Sequence, residues 1–376
     1  TIQILDTLSK DLQENIFELK KIISPTSTRL NINNLKDYEN FKETYSSLIE
    51  KLTLLGITLS KHSEENIEFQ KLFERSTELN IKFDSWLKKD NQNNIYWLEV
   101  FARTIQFNET PISIAEQFNK FQKKSDSAWI FTSATLSING SFEHFTKLLG
   151  LEEAKTQYLQ SPFNYNENAF LYVPKEIPDP KDELFNLVLV KKVLPLIKAS
   201  KGRAFILATS LKSMQEIGAL LKDELKKNEI DYPVITQGEG PKSDLLHQFK
   251  KHGNAVLIGS LSFWEGIDVR GPALSLVIID KLPFQSPGDP VFESKIKLLS
   301  DEGINAFMSM QLPEAIIKLK QGVGRLIRDD HDKGVMVICD KRIIEKSYGI
   351  KIWKSLPAFK RTRNESAVIN FLEELE

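Results

Sequence analysis

The sequence predicts an α/β protein in which a helical N-terminal part precedes a sheet of parallel strands. Of the 17 glycines, only Gly56 comes before Gly140, so the N-terminal part has few tight turns and favours helices. From about residue 169 onward, apolar runs of about five to seven residues alternate with segments of helical periodicity. That alternation is typical of a parallel sheet covered by helices on both faces.

Three stretches of the N-terminal part place apolar residues every three or four positions, which is the spacing of an amphipathic helix. They run from residue 5 to 23, from 38 to 55 and from 69 to 86. Three helices with polar connections predict an antiparallel bundle. A continuous coiled coil is the alternative, but Pro25 and the asparagine-rich stretch 31–34 interrupt the pattern. No candidate catalytic residue lies here, and we expect the charged side chains to face solvent.

The composition is that of a soluble globular protein, with 41% hydrophobic and 27% charged residues. A length of 376 residues predicts two or three domains. The net charge of -1 excludes a global field that favours nucleic acid or membrane, although a local basic groove stays compatible with it. No apolar run of about 18 residues indicates a membrane span.

The chain contains one cysteine, Cys339, which excludes internal disulfides and any cysteine-based zinc or iron–sulfur site formed within the chain. This cysteine usage favours a reducing, cytoplasmic setting. The N-terminus is amphipathic rather than a signal peptide, and it lacks a methionine. We therefore expect the chain to begin inside a longer protein.

The middle of the chain changes pattern near the asparagine-rich stretch 91–94. Residues 95–100 predict a strand, and residues 110–121 predict a helix that opens at a Thr-Pro pair. The apolar run 128–136 predicts a buried strand that ends in small hydroxyl residues. Hydroxyl residues at the carboxyl end of a strand are common in the ligand sites of open α/β sheets, but they also commonly end strands without a ligand.

The C-terminal part alternates between predicted strands and helices. The strands are predicted at residues 170–173, 203–210, 234–237, 254–260, 274–280 and 334–340. The helices are predicted at residues 182–199, 211–227, 242–250 and 313–328, with one final helix after the last strand. We expect right-handed crossovers between the parallel strands.

The stretch 311–330 holds the first group of candidate site residues. On a helix its polar face carries one amide and two guanidiniums, from Gln321, Arg325 and Arg328 at spacings of four and three. These groups bind polyphosphates well. Gly322 and Gly324 each weaken a helix by about 1 kcal/mol, which indicates that a ligand approaches the backbone closely. The alternative is an ordinary amphipathic helix with solvated arginines, and spacing alone does not separate the two.

Polar residues also follow three of the predicted strands. They are Ser133 and Thr135, Thr209 and Ser210, and the segment from Gly259 to Asp268. In that last segment the serines can donate to phosphate oxygens and Trp264 can stack on a base. Asp268 can contact a sugar hydroxyl or orient a metal-bound water, and Gly259 and Gly266 allow tight turns. The alternative is a long loop with a buried tryptophan.

Four segments occur in the order of helicase motifs III, IV, V and VI: T-S-A-T-L, F-I-L-A-T-S, I-G-S-L-S-F-W-E-G-I-D-V-R-G and Q-G-V-G-R-L-I-R. They resemble these motifs of superfamily 2 helicases. The W-E-G-I-D form of motif V, followed by V-I-I-D-K-L-P-F, resembles the Rad3/XPD group. Within that group the sequence is most similar to the bacterial DinG/YoaA proteins, and L-V-I-I-D-K-L-P-F and L-K-Q-G-V-G-R-L-I-R favour YoaA.

The resemblance covers roughly residue 95 to the C-terminus and implies three domains. Residues 1–94 would form a helical arch-like domain, and residues 95–140 the C-terminal part of the first helicase lobe with motif III. Residues 141–376 would form a RecA-like second lobe with motifs IV, V and VI. The resemblance also implies a 5′→3′ ATP-dependent DNA helicase that moves along single-stranded DNA and acts in DNA repair. YoaA-like proteins pair with the chi subunit of DNA polymerase III, whose docking surface the spacing does not locate.

The resemblance further implies roles for the candidate residues. Arg325 and Arg328 would contact the γ-phosphate of ATP as arginine fingers, and Gln321 would position the phosphate or its attacking water. The other nucleotide-side residues would be Glu265, Gly266, Asp268 and Gly324. The DNA-side residues would be Ser133, Thr135, Thr209, Ser210, Ser260, Ser262 and Trp264. The first two of these would also couple the lobes, and no residue of the chain is predicted to ligate a metal.

Several parts of such a helicase have no counterpart in the sequence. A nucleotide-hydrolysing lobe needs G-x-x-x-x-G-K-[ST], and within residues 238–243 Pro241, which lacks an N–H, stands where the second glycine should be. No Asp-Glu-x-His follows an apolar strand, and the four cysteines of the family's iron–sulfur cluster are absent. We expect a fragment that hydrolyses ATP with Mg²⁺ only as part of its full-length parent. The alternative is a non-catalytic module that binds single-stranded DNA or a protein.

Overall fold

The computed structural model describes residues 2–23, 29–35, 37–64, 66–101, 104–260, 263, 269 and 271–375. The chain divides into two compact units. The N-terminal unit comprises Thr1–Lys120 and Gln285–Ala306, and the sheet unit comprises Phe121–Phe284 and Phe307–Glu376. No helix among the described residues is long and apolar enough to cross a membrane.

The three predicted N-terminal helices are confirmed as α1 (Ile2–Ile22), α2 (Tyr38–Ser60) and α3 (Ile67–Lys88). Helix α2 contacts both of the others. Helix α3 ends where Lys89 takes a left-handed φ of 53° and its N–H turns back to the carbonyls of the last turn. The core between the helices is aromatic, with the ring centroid of Tyr45 5.6 Å from that of Phe41 and 5.5 Å from that of Trp86.

A three-stranded antiparallel sheet completes the N-terminal fold, and the sequence predicted only its central strand. The sheet order is β1 (Arg29–Asn31), β2 (Asn94–Val100) and β3 (Ile105–Pro111). The helix predicted from residue 110 is wrong at its start. Thr110 pairs with Ile95 in the sheet, and its hydroxyl accepts a hydrogen bond from the indole N–H of Trp97 at 2.9 Å. The helix, α4, therefore spans Ala115–Lys123.

The apolar run 128–136 is not the buried strand that its sequence predicts. The part of the chain that the structure describes places no strand beside it, so its N–H and C=O groups join no sheet ladder. Ile130 within this run is 85% exposed. Aromatic contacts hold the segment instead: the ring centroid of Trp129 lies 5.7 Å from that of Phe121 and 6.2 Å from that of Phe131.

The sheet unit is built on seven parallel strands in the order β10-β4-β9-β8-β5-β7-β6. The strands are β4 (Ala169–Tyr172), β5 (Ala204–Ala208), β6 (Val234–Thr236), β7 (Val256–Ser260), β8 (Leu276–Ile279), β9 (Gly334–Ile338) and β10 (Lys360–Thr362). Every residue of β5, β7, β8 and β9 is buried, which confirms the predicted parallel sheet. One prediction about the sheet is wrong, because the last strand is β10 and not β9.

Helices cover both faces of this sheet. The remaining helices, in chain order, are α5 (Glu143–Leu149), α6 (Tyr165–Asn168), α7 (Phe185–Ala199), α8 (Leu211–Lys227), α9 (Lys242–His252), α10 (Pro290–Asp301), α11 (Leu312–Val323), α12 (Arg342–Glu345), α13 (Gly349–Ser355) and α14 (Glu365–Glu373). One face of the sheet packs against α7, α8 and α14, and the other against α9, α11 and α13. The predicted helices of residues 182–199, 211–227 and 242–250 are thereby confirmed.

Helix α10, which the sequence did not predict, folds with the N-terminal unit. Asp289 caps its start by accepting the N–H of Phe292 at 2.9 Å, and the same carboxylate accepts a hydrogen bond from Arg29 at 3.2 Å. The side-chain amide of Asn31 donates to the hydroxyl of Ser294 at 2.8 Å. These contacts with β1 explain why a segment that lies between two strands of the parallel sheet in sequence packs elsewhere.

Candidate functional site

The candidate residues of the sheet unit form two groups at opposite ends of the parallel strands. Thr209 and Asp280 directly follow β5 and β8, and Ser260 ends β7, so all three lie at the carboxyl edge of the sheet. The two arginines lie in the connection from α11 to the start of β9, at the amino edge. Ligands of open α/β sheets usually bind at the carboxyl edge. The sequence did not predict this separation.

The helix predicted to carry Gln321, Arg325 and Arg328 on one face ends before the two arginines. Helix α11 ends at Val323, and the N–H of Arg325 donates to the carbonyl of Gly322 at 3.1 Å in a tight turn. The predicted common face is therefore wrong. Gln321 lies in the last turn of α11, and both arginine side chains are half-buried on the turn that follows.

Asp332 shapes the turn that carries the arginines. One oxygen of its carboxylate accepts the N–H groups of Arg328 at 2.8 Å and of Asp329 at 2.9 Å, and the other accepts the N–H of Gly271 at 3.2 Å. In a longer helix the first two N–H groups would donate to carbonyls four residues earlier, so Asp332 ends the helical hydrogen bonding. It also ties residues 324–332, here called the arginine turn, to the segment before β8.

Gly324 is the first residue of the arginine turn, and its backbone conformation does not require a glycine. It is exposed, its φ is −66°, and an added Cβ would lie 3.4 Å from the carbonyl oxygen of Lys320. The fold therefore tolerates a side chain at this position. The predicted close approach of a ligand to this backbone stays a prediction, which the open surface favours.

The carboxyl edge is organised around the fully buried Asp280. Its Oδ1 accepts the N–H groups of Thr209 at 2.9 Å and Lys281 at 2.6 Å. Its Oδ2 accepts the hydroxyls of Thr209 at 3.2 Å and Ser213 at 3.0 Å. Burial raises the pKa of this carboxyl to about 6, although hydrogen bonds and the charge of Lys281 lower it in part. The hydroxyl of Thr209, a predicted DNA contact, is thus engaged within the protein.

Two serines at the carboxyl edge also have partners within the protein. Ser210 caps α8, because its hydroxyl oxygen accepts the N–H of Ser213 at 3.1 Å. The N–H and the hydroxyl of Ser260 donate to the side-chain oxygen of Gln237 at 2.7 and 2.8 Å. Ser210 is exposed, whereas Ser260 is buried. The predicted DNA contacts of both serines stay predictions, and Ser210 is the better placed of the two.

The T-S-A-T-L segment is tied to α11. The hydroxyls of Ser133 and Thr135 lie 3.1 Å apart, in a turn closed by the N–H of Thr135 on the oxygen of Ser133. Two residues further on, the carbonyl of Ser137 accepts a hydrogen bond from the ammonium of Lys320 at 2.8 Å. Since Lys320 lies in the last turn of α11, the structure places this segment on the side of the arginine turn.

Five candidate residues lie outside the described residues: Ser262, Trp264, Glu265, Gly266 and Asp268. Their segment connects Ser260 at the carboxyl edge to Gly271 before β8, so along the chain it joins the two ends of the sheet. Phe263 is buried, and an added Cβ on Gly259 would lie only 2.7 Å from its Cβ. Gly259 is therefore needed for close packing, and its predicted role as a turn residue is wrong.

Four residues of the site were not predicted as site residues: Asp280, Asp332, Gln237 and Lys320. Each of them has at least one hydrogen-bond partner that is distant in sequence. Asp280 and Thr209 are 71 residues apart, and Asp332 and Gly271 are 61 apart. Spacing within one helix or strand carries no signal for such pairs. Only Asp280 belonged to a segment that the family resemblance used, V-I-I-D-K-L-P-F.

Lys320→Met is expected to loosen the T-S-A-T-L segment. Burial lowers the pKa of the Lys320 ammonium, which donates to the neutral carbonyl of Ser137. Loss of this bond should reduce the free energy of unfolding by about 1–2 kcal/mol and speed tryptic cleavage at Lys123 and Lys124. Urea denaturation and limited digestion measure the two effects. Lys318→Met on the same helix is the control, and equal effects in both variants would contradict the assigned tie.

Comparisons with known proteins find that the chain is similar to DNA helicases. Residues 193–359 match the family model described as the helicase C-terminal domain. The ATP-dependent DNA helicase YoaA of Haemophilus influenzae is 38% identical over 377 residues, which cover 99% of this chain and 58% of that protein. The ATP-dependent DNA helicase YoaA of Escherichia coli is 43% identical over 301 residues, 80% of this chain and 46% of that protein. The ATP-dependent helicase DinG of Mycobacterium tuberculosis is 33% identical over 288 residues, 74% of this chain and 42% of that protein.

The chain thus spans about half the length of the curated relatives it matches. Two solved XPD structures resemble its fold. The first, an XPD helicase, superposes with a TM-score of 0.60 at 17% sequence identity. The match covers 95% of this chain and 62% of the XPD chain. The second, an apo XPD, superposes with a TM-score of 0.59 at 18% sequence identity. The match covers 94% of this chain and 69% of that XPD chain. At these identities the likeness shows the fold alone.

Proposed function

We propose that this chain, which belongs to the DinG/YoaA type of the Rad3/XPD helicase family, works as part of an ATP-dependent DNA helicase. One observation carries the proposal: a single parallel sheet bears two arginines at its amino edge and a polar cluster at its carboxyl edge. A helicase has to connect a nucleotide to a nucleic acid, and rigid secondary-structure elements transmit such coupling. The segment 261–270, with Glu265 and Asp268, connects the two edges along the chain.

The arginine turn is the proposed nucleotide side. Arg325 and Arg328 bind the γ-phosphate of ATP as arginine fingers, and Gln321 positions the phosphate or the attacking water. Two guanidiniums fit a polyphosphate because each presents planar donors to its oxygens, and Asp332 fixes the backbone that carries them. The exposed Gly324 leaves room for the nucleotide beside this backbone. The full-length parent supplies the glycine-rich phosphate loop, the Asp-Glu-x-His motif and the Mg²⁺ that accompanies ATP.

An iron–sulfur cluster, which the family resemblance implies, does not fit the cysteine of this chain. Cys339, the only cysteine, is fully buried after β9, and burial raises the pKa of its thiol. One buried thiol cannot hold a cluster that takes four ligands. We assign the cluster to the remainder of the parent, and no role assigned to this chain depends on it.

The carboxyl edge is the proposed DNA side. Single-stranded DNA passes the start of α8, where the exposed Ser210 and the first N–H groups of the helix face phosphates. Contacts of this kind hold the backbone without reading the sequence, and Trp264 adds stacking on a base. The 5′→3′ direction, the role in DNA repair, the cytoplasmic location and pairing with the chi subunit of DNA polymerase III are proposals that rest on the family resemblance.

The exposed run 128–136 is the proposed end of the first helicase lobe. Its sequence has the apolar pattern of a buried strand, yet Ile130 is 85% exposed. We infer that in the parent this run pairs with strands of the first lobe. In this interpretation the run closes the first lobe, and residues 141–376 form the second lobe. Residues 1–94 form the arch-like domain together with β2 and β3, which were predicted in the first lobe but complete the N-terminal unit.

The 376-residue chain alone is expected to bind oligo-dT but to show no DNA-stimulated ATP hydrolysis, because its sequence contains no phosphate-binding loop. A phosphate-release assay with and without oligo-dT measures turnover, and the full-length parent is the positive control. Turnover in this chain that Arg325→Ala abolishes would contradict the expectation. DNA binding by a parent that hydrolyses no ATP would favour the alternative, a non-catalytic binding module.

A further inference from the structure

Asp280 joins three elements of the carboxyl edge, and no role assigned above uses it. We propose that Asp280 is a positioning residue that holds the DNA-contacting start of α8 and makes the affinity for single-stranded DNA depend on its own protonation. This inference rests on the proposed function, because it takes the carboxyl edge to be the DNA side.

The hydrogen bonds of Asp280 explain the positioning. Asp280 follows β8, Thr209 follows the neighbouring strand β5, and Ser213 lies in the first turn of α8. The carboxylate accepts two hydrogen bonds from Thr209, at 2.9 and 3.2 Å, and one from Ser213 at 3.0 Å. Ser210, which caps α8, lies between these two anchored residues. Asp280 therefore fixes the start of the helix that is proposed to face phosphates.

The hydroxyl of Ser213 lies between two acceptors. It is 3.0 Å from Oδ2 of Asp280 and 3.1 Å from Oδ1 of Asn186, and its single hydrogen serves only one of them. When Asp280 is ionised, Ser213 donates to Asp280. When Asp280 takes up a proton from solvent, its new O–H donates to Ser213, and Ser213 donates to Asn186. The amide of Asn186 is held by Glu216 at 2.9 Å, so both protonation states are hydrogen-bonded.

The charged and titratable groups around Asp280 come from each element packed against it. They are Lys281 beside it, Cys339 and Asp340 after β9, Arg342 on α12 and Glu216 on α8. Burial outweighs Lys281 and raises the pKa of Asp280 to about 6. Cys339 stays uncharged, because burial and the neighbouring carboxylates raise its pKa. Arg342 neutralises Asp340 through hydrogen bonds to both oxygens at 2.9 and 2.6 Å.

The ionised carboxylate opposes the binding of phosphates at the start of α8. A helix N-terminus carries partial positive charge that attracts anions, and an adjacent carboxylate offsets that charge. Protonation of Asp280 removes the opposing charge, so single-stranded DNA binds more tightly to the protonated form. By linkage, DNA binding takes up a proton and raises the pKa of Asp280 further.

Asp280→Asn mimics the protonated state. Its side-chain oxygen can accept the N–H groups of Thr209 and Lys281, and its amide can donate to the hydroxyls of Thr209 and Ser213. All four hydrogen-bond positions stay filled, so this variant is expected to fold. Ser213→Ala is a second variant, which removes a hydrogen bond that lowers the pKa of Asp280 and is therefore expected to raise it.

The test is the fluorescence anisotropy of labelled oligo-dT with this chain at constant ionic strength over roughly pH 5 to 8. The wild-type chain is expected to lose affinity by roughly 3- to 10-fold as the pH rises through this range. Asp280→Asn should keep the higher affinity at every pH, and Ser213→Ala should move the midpoint to higher pH. All variants keep the five histidines of the chain, so the differences between the variants isolate Asp280.

Asp223→Asn is the matched control, because it removes one exposed carboxylate from the same helix α8 and should keep the wild-type pH profile of DNA affinity.

Thermal unfolding in the absence of DNA measures how the protonation of Asp280 alone affects stability. The pKa of Asp280 is raised from 3.8 to about 6, so its contribution to stability is complete below 3.8 and lost as the pH rises through 6. Asp280→Asn should therefore have a higher Tm than wild type at neutral pH, and the difference should shrink as the pH falls.

Two results would overturn the inference. The first is an Asp280→Asn variant whose DNA affinity follows the wild-type pH profile. The second is a Tm difference between Asp280→Asn and wild type that does not change with pH, since Asp280 would then not titrate. If the chain binds no DNA at any pH while the Tm difference follows the pH as expected, the assignment of the carboxyl edge as the DNA side is wrong, but Asp280 does titrate in this range.

Discussion

Arg325→Ala in the full-length parent is expected to lower DNA-stimulated ATP turnover by on the order of 10³-fold or more. An arginine finger stabilises charge that develops on the transferring phosphoryl group, so kcat should fall more than KM rises. The fold should survive, because the arginine turn is anchored by Asp332 and by the buried side chains of Leu326 and Ile327. Steady-state kinetics with saturating oligo-dT measure turnover, and circular dichroism with thermal unfolding monitors the fold.

Arg75→Ala is the matched control for this prediction. Arg75 lies on α3 in the N-terminal unit with its side chain 68% exposed, and its loss should leave turnover near the wild-type value. Arg325→Lys keeps the charge but not the planar fork of donors, so most of the loss should persist in it. Near-normal turnover in Arg325→Ala would contradict the assignment of Arg325 as an arginine finger.

Asp332→Ala is expected to lower the free energy of unfolding by about 2–4 kcal/mol and to reduce ATP turnover in the parent. The N–H groups of Arg328, Asp329 and Gly271 would lose their acceptor in a partly buried region. Asp332→Asn keeps one acceptor oxygen but directs an amide N–H₂ at N–H groups, so it should recover only part of the stability. Urea denaturation of this chain measures the change, and a constant m-value shows that the unfolding transition is comparable.

Asp330→Ala is the control for Asp332, because it is an exposed aspartate of the same turn. The hydrogen bond that it accepts from Asn168 at 3.0 Å goes to its backbone carbonyl and would remain. Its stability should therefore change by less than about 0.5 kcal/mol. Wild-type stability in Asp332→Ala would contradict its role in the turn. Lower stability with full ATP turnover would contradict its role in positioning the arginines.

Helices and strands that are marked by a local pattern of apolar residues along the chain were predictable from the sequence. Helix α8 was predicted at residues 211–227 and spans Leu211–Lys227, because its apolar residues recur with the period of a helix. The buried strands β5 and β7 appeared as short apolar runs, since a parallel strand packs on both faces. The first three helices of the N-terminal unit followed from the same periodicity.

Elements that depend on distant partners were predicted wrongly or missed. Residues 128–136 have the composition of a buried strand, but a strand needs a neighbour to pair with its backbone groups. Strand β1 was missed because it is only three residues long and its pairing with β2 bridges residues about 70 apart. Helix α11 was predicted too long, because a side chain beyond its end captures the N–H groups that would extend it.

By itself the sequence determined the fold class, and it indicated the family and the candidate site residues, whose roles stay predictions. These properties depend on residue type and on spacing along the chain, which the printed sequence contains. Only the tertiary structure decided that the arginine turn lies at the amino edge of the parallel sheet, whereas Thr209 and Ser260 lie at its carboxyl edge. That arrangement depends on which strands are neighbours and on the end at which the chain enters each one. Asp280 and Asp332 became visible for the same reason, because each carboxylate accepts at least one hydrogen bond from a residue more than 60 positions away.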